Sequence, residues 1–484
     1  MTLSLPELVA ALRREDLVVT ASTEAPAVAG ITTDSRTAGS GDVYIAVRGS
    51  QTDGHRFVRD AVSRGAAAVV VETPQGLAVP EVVVRDGRAA ALALARAWYG
   101  DPGRSLRLIG ITGTNGKTTT TGLVRHLLNA SGTAASIGTL GAFDGAGGAV
   151  PSTAGSLTTP GAIDLQATLA ALRDRGTEYV AMETSSHSLD QGRLDGLTFA
   201  AAVYTNLTRD HLDYHGTMEA YLAAKLRLST YLSLDGVEIV NQDDEAWRAL
   251  PVRAGRVTFG TMPEADVRAS ELQLDAGGSS FRLTTPWGAA DVRLPLLGDF
   301  NVSNALAAAA TALALGRPLD EVTDRLGAAP QVPGRMERIG DRPCVILRDY
   351  AHTPDALERA LATLRPLTSG RLIVVFGCGG DRDRGKRPIM GRVAAERADL
   401  AVVSSDNPRT EDPEAIIDDI VAGMGTAPHI RLADRRAAIA RALDEARPGD
   451  TVLLAGKGHE TYQVIGTDKV PFDERDVVAD VLRR

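Results

Sequence analysis

Short β-branched runs alternate with Ala-, Leu- and Arg-rich stretches along nearly the whole chain. The runs predict strands at Val43–Val47, Ala67–Val71, Glu81–Val84, Arg107–Thr112, Tyr179–Met182, Ala201–Asn206, Val237–Asn241, Arg371–Phe376, Leu400–Ser404 and Thr451–Ala455. Several are apolar at every position, which suits a parallel sheet covered by helices on both faces. The alternation therefore predicts an α/β fold with mostly parallel sheets and right-handed crossovers. Leu5, Leu8, Val9 and Leu12 have the spacing of a surface helix, and Gly87–Trp98 reads as another. The richest apolar run, Ala305 to Gly316, is broken by Thr311 and too short to span a membrane, so it reads as a buried helix. Val267–Val292 alternates polar and apolar residues around Gly277-Gly278, the pattern of a hairpin meander.

A chain of 484 residues exceeds what a single core accommodates. Pro- and Gly-rich breaks at Gly100-Asp-Pro-Gly103 and Ala329-Pro-Gln-Val-Pro-Gly334 divide it into 1–105, 106–331 and 332–484. Lys+Arg 52 against Asp+Glu 61 gives a net charge of -9, which argues against a nucleic-acid binder. It leaves room for a local cationic pocket that takes an anionic substrate. Two cysteines, Cys344 and Cys378, make no disulfide framework and read as reduced buried thiols. The first residues lack a basic start and a long apolar core, so the expected location is the cytoplasm, without membrane insertion.

Arg107-Leu-Ile-Gly-Ile-Thr-Gly113-Thr-Asn-Gly116-Lys117-Thr118-Thr119 carries the strongest local chemistry. A strand enters a glycine-rich turn, and a helix starts near Lys117. Glycines let backbone N–H groups approach phosphate oxygens, and the helix N-terminus adds its positive dipole end. Lys117 would reach the β/γ-phosphates and Thr118 would ligate magnesium. Glu183 follows the strand Tyr179–Met182, at the strand end where open α/β sheets bind ligands. His187 and His211 also follow strands, although magnesium prefers oxygen ligands.

Taken with further segments, this loop resembles that of the Mur ligase family, which builds the peptide stem of bacterial peptidoglycan. The matching segments include Asn206-Leu-Thr-Arg-Asp-His211, Gly298-Asp-Phe-Asn301, Val332-Pro-Gly-Arg335 and Asp349-Tyr-Ala-His352. Thr33-Asp-Ser35-Arg36, Thr158-Thr159-Pro160, Glu183-Thr-Ser-Ser-His187, Gly379-Gly-Asp-Arg382, Asp406-Asn-Pro-Arg409 and Gly456-Lys-Gly-His-Glu460 resemble its diamino-acid-adding branch. The resemblance implies three domains: a small α/β uridine-binding domain, a central P-loop-type ATPase domain, and a C-terminal Rossmann-like domain that binds the diamino acid. It implies that ATP activates the D-glutamate γ-carboxylate of UDP-MurNAc-L-Ala-D-Glu as an acyl phosphate, which 2,6-diaminopimelate then attacks through its amine.

The roles implied by the resemblance fall on named positions. Gly113, Thr114, Asn115, Gly116, Lys117, Thr118 and Thr119 would hold ATP, with Asn301, Arg335 and Asp349 lining the nucleotide pocket. Magnesium would sit among Thr118, Glu183, His211 and Lys225, the last carbamylated by CO₂ so that it offers oxygen rather than ammonium. Lys117, Lys225, Glu183 and His211 would form the catalytic group. Thr33, Ser35, Ser50, Gln51 and Thr52 would hold the uridine end, and Thr158, Thr159, Ser185, Gln191 and Arg193 the muramyl-peptide. Leu157 stands where the family usually has Asn, and Ser188 where it often has Gly. Arg382, Asp406, Asn407, Pro408, Arg409, Gly456 and Glu460 would bind diaminopimelate. Arg382 and Arg409 are assigned to its distal carboxylate, because a guanidinium grips a carboxylate bidentately. A monomer is expected. The alternatives are the same ligation with L-lysine, a folylpolyglutamate-synthase-like glutamate ligase, and a nucleotide-binding scaffold without chemistry.

Overall fold

The computed structural model describes residues 3–49, 52–151 and 157–483. Three large sheets follow one another along the chain. The first has five strands and takes in Val18–Ala21, Gly30–Thr32, Asp42–Ile45, Ala68–Val71 and Glu81–Val84. The second has 11 strands, from Arg107–Thr112 to Gly288–Leu294, and the third has 6, from Glu337–Gly340 to Thr451–Ala455. The second has a parallel centre around Arg107–Thr112, flanked by Tyr179–Glu183 and Phe199–Tyr204. Antiparallel strands appear at both of its edges.

Apolarity on both strand faces has the expected cause. In the central sheet Leu108, Val180 and Met182 pack into one core, while Ile109, Ile111 and Ala181 pack into another on the opposite face. In the third sheet Ile373 and Val375 face one core, and Leu372, Val374 and Phe376 the other. Side chains alternate across a strand, so helices on both faces demand apolar residues at both phases.

Val267–Asp275, Gly278–Thr285 and Gly288–Leu294 form the expected antiparallel meander. It extends the central sheet, because Val267–Asp275 also pairs in parallel with Arg256–Gly260. The buried helix spans Asp299–Ala314, starting earlier than the apolar run. Phe199–Tyr204 also ends earlier than expected, since Thr205 and Asn206 leave the sheet to bond the glycine loop. Ala134–Gly138 and Val345–Asp349 are sheet strands absent from the expected set. In the first, Ile137 stands alone among small residues, Ala134, Ala135, Ser136 and Gly138, with weak strand preference. The second hides a buried Arg348, paired with Glu337 at 2.6 Å and Asp473 at 3.2 Å. Both cysteines are buried and free. No helix among the described residues is long and apolar enough to cross a membrane.

Candidate active site

The strand Arg107–Thr112 and the helix Lys117–Leu128 meet at the glycine loop. Gly113 has φ +146° and Gly116 φ +84°. A Cβ on Gly113 would stand 1.9 Å from Thr205 Oγ1, and one on Gly116 2.3 Å from Asn304 Oδ1. Sterics thus require glycine at both positions. The turn after Phe199–Tyr204 braces the loop. Thr114 N donates to the Asn206 carbonyl at 2.7 Å, and Asn115 N to Asn206 Oδ1 at 2.9 Å. Thr205 Oγ1 donates to the Asn115 carbonyl at 2.7 Å.

Two lysines converge on the Gly113 carbonyl, Lys117 Nζ at 3.0 Å and Lys225 Nζ at 2.7 Å. Lys117 also donates to the Thr114 carbonyl at 2.8 Å. Burial lowers both lysines below their ordinary range, and the charge of Lys117 pushes Lys225 down further. Lys225 lies at the end of the helix Met218–Leu226, with its Nζ 4.4 Å from the Tyr221 ring centroid.

Glu183 closes the strand Tyr179–Glu183 and is buried. Its Oε1 accepts Thr139 N at 2.8 Å, and its Oε2 accepts Thr139 Oγ1 at 3.1 Å and Thr118 Oγ1 at 3.2 Å. Thr118 and Glu183 therefore present adjacent hard oxygens, a donor set that fits magnesium. His211 and Lys225 make other contacts. His211 lies 3.5 Å from the Asp210 carboxylate, and its ring packs edge-on to His187 at 4.9 Å. Burial, with the neighbouring histidines, pushes His187 down to about 4. Among the described residues, no group of three or more His, Cys, Asp and Glu is spaced to hold a metal. The oxygen pair is assembled, whereas an unmodified Lys225 offers only a nitrogen.

A cavity of about 300 Å³ opens over this loop. Lys117, Thr118 and Glu183 line one side, and Arg335, Asp349, Tyr350 and His352 the other. Arg335 crosses between them, donating to Thr118 Oγ1 at 3.1 Å with its guanidinium 4.7 Å from the Tyr350 ring centroid. Asp349 accepts Met336 N at 2.6 Å, and burial pushes its carboxyl up to about 6. Asn301 stands behind the wall: its Nδ2 donates to the Leu297 carbonyl, and its Oδ1 accepts Asn304 Nδ2 at 3.1 Å. Asn304 is the residue of this pair that lines the cavity, a role invisible until the helix is docked.

Thr158, Thr159, Ser185, Gln191 and Arg193 form a connected rim beside Glu183. Thr158 Oγ1 accepts Thr139 Oγ1 at 3.2 Å, and Thr159 Oγ1 donates to the Glu183 carbonyl at 2.8 Å. Ser185 N donates to Thr159 Oγ1 at 3.1 Å. Arg193 bonds the Thr159 carbonyl at 3.0 Å and Gln191 Oε1 at 2.6 Å. Arg88 bridges this rim to the first sheet's loops, donating to the carbonyls of Gln191 at 2.9 Å and Arg48 at 3.1 Å. Thr33 and Ser35 follow the strand Gly30–Thr32, at the C-terminal edge of that sheet. Thr52 accepts Gly49 N through its carbonyl at 2.9 Å; Ser50 and Gln51 lie outside the described residues.

At the third sheet the strands Leu400–Ser404 and Thr451–Ala455 deliver two loops to one edge. Asn407 Nδ2 donates to Glu460 Oε2 at 2.9 Å. Lys457, absent from the expected site, is fully buried between the loops. It donates to Asn407 Oδ1 and Glu460 Oε2, both at 3.1 Å, and reaches Asp406 Oδ1 at 3.4 Å. Its signal lay in the quoted Gly456–Glu460 segment, but only the fold shows that it faces two carboxylates. Gly456 has φ +112°, and a Cβ there would approach Asp406 Oδ2 at 3.2 Å. Pro408 leads into Arg409, which has φ +52° and donates through Nη1 to the Gly380 carbonyl at 2.9 Å. Arg382 is exposed next to it, on the loop that carries Gly379 and Gly380.

Three domain models of one family cover most of the chain. Residues 27–97 match the Mur ligase family catalytic domain, 111–312 the Mur ligase middle domain, and 334–458 the Mur ligase glutamate ligase domain. The chain belongs to the Mur ligase family. It is 48% identical over 467 residues to the UDP-N-acetylmuramoyl-L-alanyl-D-glutamate--2,6-diaminopimelate ligase of Synechococcus elongatus, covering 93% of each chain. Identity to the ligase of the same name from Geobacillus kaustophilus is 45%, over 93% of this chain and 94% of the relative. A solved structure bearing that ligase name is 37% identical with a TM-score of 0.67, covering 100% of this chain and 99% of the other.

Proposed function

We propose that this chain is the ATP-dependent ligase that joins 2,6-diaminopimelate to the D-glutamate γ-carboxylate of UDP-MurNAc-L-Ala-D-Glu. The observation that carries the reading is the cavity over Gly113–Thr119, walled by Arg335 and Asp349–His352 and leading towards the third-sheet loops. Tyr350 links the two: its ring lies 5.1 Å from that of His459, inside the Gly456–Glu460 segment. The strongly similar relatives that carry this ligase name favour it over the folylpolyglutamate-type and scaffold alternatives.

A carboxylate resists attack by an amine until its oxygen becomes a leaving group. Phosphoryl transfer from ATP supplies that, and its catalysis is mainly positioning and charge neutralisation. The loop N–H groups cradle the phosphates, and Lys117 swings from the Gly113 and Thr114 carbonyls to meet them. Arg335 reaches the same phosphates from beside Thr118. Thr118 and Glu183 would hold magnesium, which neutralises phosphate charge when bound. The rim Thr158–Arg193 orients the glutamate, and Asn407 with Glu460 holds an ammonium of the diamino acid. Enclosure between the domains shields the acyl phosphate from water. The test is phosphate release from ATP with each substrate omitted in turn. Release that needs both UDP-MurNAc-L-Ala-D-Glu and diaminopimelate is expected; release without the diamino acid would refute it.

Lys225 in this reading becomes a carbamate. The neutral amine adds to CO₂, forming an N–C bond and releasing one proton. A lowered ammonium pKa favours that neutral amine, and the product places an anion beside the Lys117 cation. Lys225→Ala is expected to be nearly inactive and partly rescued by short carboxylates. Labelled ¹³CO₂ should give a carbamate resonance in wild type that this variant lacks. An active wild type without that resonance would overturn the assignment.

A further inference from the structure

Arg387 is fully buried in the first turn of the helix Lys386–Arg397, yet it touches no part of the cavity. Its Nη1 donates to Glu411 Oε2 and Asp419 Oδ2, both at 2.9 Å, and its Nη2 to Glu411 Oε1 at 2.8 Å and the Gly379 carbonyl at 3.3 Å. Glu411 accepts the Asp381 N–H in turn. Arg384 shares Asp419, donating at 2.9 Å, so two guanidiniums meet two carboxylates there. Around this centre the loop after the strand Leu372–Phe376, with Gly379–Arg382, and the loop after Leu400–Ser404, with Asn407–Thr410, are laced together. Gly380 N donates to the Asn407 carbonyl at 2.9 Å, and Thr410 Oγ1 to Asp381 Oδ1 at 2.9 Å. Arg409 Nη1 returns to the Gly380 carbonyl. Asp381 and Arg409 both have positive φ, at 54° and 52°, conformations that non-glycine residues hold only where surroundings impose them. One loop carries Arg382 and the other Arg409.

Resting on the function proposed above, we propose that Arg387 is a positioning residue for amino-acid selection: through Glu411 and Gly379 it fixes the spacing of Arg382 and Arg409, and so the width of the clamp on the substrate's distal carboxylate. A lysine cannot replace it, because one ammonium cannot bind Glu411 bidentately while also reaching Asp419 and a carbonyl. A displacement near 1 Å in a two-pronged clamp weakens both prongs.

The test compares Arg387→Met, Arg387→Lys and Glu411→Gln with wild type in steady state, varying each substrate separately. Arg387→Met should raise KM for diaminopimelate about tenfold to a hundredfold. KM for ATP and for UDP-MurNAc-L-Ala-D-Glu should stay within about twofold, as remote sites respond independently. Arg387→Lys should recover little. Combined with Arg409→Ala, Arg387→Met should add almost nothing, since the clamp is already broken. A uniform rise in all three KM values, or full additivity with Arg409→Ala, would show a merely structural role. If Arg387→Met fails to fold, Glu411→Gln should give a smaller rise confined to diaminopimelate, and an unchanged value there overturns the proposal. A wild type that ignores diaminopimelate overturns both this proposal and the proposed function; a wild type that uses it beside an unaffected Arg387→Met overturns this one alone.

Discussion

Lys117→Ala is expected to lose ligation by at least about a hundredfold while the fold stays intact, the scale on which one preorganised charge or donor matters to a transition state. Among the described residues Lys117 has no ion-pair partner; it donates to two loop carbonyls, and Lys225 already serves one of them. Burial depresses its pKa, so its charge is held at a cost in the folded protein. Removing it therefore leaves the Thr114 carbonyl short of a partner, a loss of about 1–3 kcal/mol, partly offset because a buried charge is removed with it. The loop keeps its shape because Gly113 and Gly116 set it and Thr205 and Asn206 brace it. Thermal unfolding should show a Tm within a few degrees of wild type, beside phosphate release near background. Wild-type turnover in this variant would remove the phosphate site from the loop.

The second large effect concerns the amine acceptor. L-Lysine has the distal amine of diaminopimelate but lacks its distal carboxylate, so Arg382 and Arg409 would face no anion. A fully buried site rejects an analogue lacking its polar partner by roughly 10⁴–10⁵. Arg382 is exposed and Arg409 half-buried, so water can solvate them, and discrimination of roughly 10³ is expected. Arg409→Ala should lose most diaminopimelate turnover while KM for ATP holds. Its guanidinium bonds the Gly380 carbonyl, and its backbone N–H donates to the Val464 carbonyl at 3.0 Å. The backbone bond survives the substitution, so the turn should persist and the loss should appear as selectivity. Steady-state rates with diaminopimelate, lysine and ornithine decide it; equal use of lysine by wild type would make Arg409 a turn residue only.

The glycine loop was legible because its chemistry is local: a strand, a turn that demands glycine, and a helix start at Lys117. The doubly apolar strands announced covered parallel sheets for the same reason, since strand periodicity needs no knowledge of distant partners. Arg348 shows where that logic stops. A charged residue in a short run hides a strand until Glu337 and Asp473, far apart in sequence, arrive to neutralise it.

The sequence by itself determined which residue types were available: the loop lysine, the Thr118 hydroxyl and Glu183 carboxylate, and the two arginines assigned to a carboxylate. Only the tertiary structure decided their company. It set Asn304 rather than Asn301 at the cavity wall, turned Lys225 onto the same carbonyl as Lys117, and buried Lys457 between Asp406 and Glu460. Periodicity and turn chemistry act over a few residues, whereas the pairing and desolvation of a charge depend on whatever the fold brings within about 4 Å.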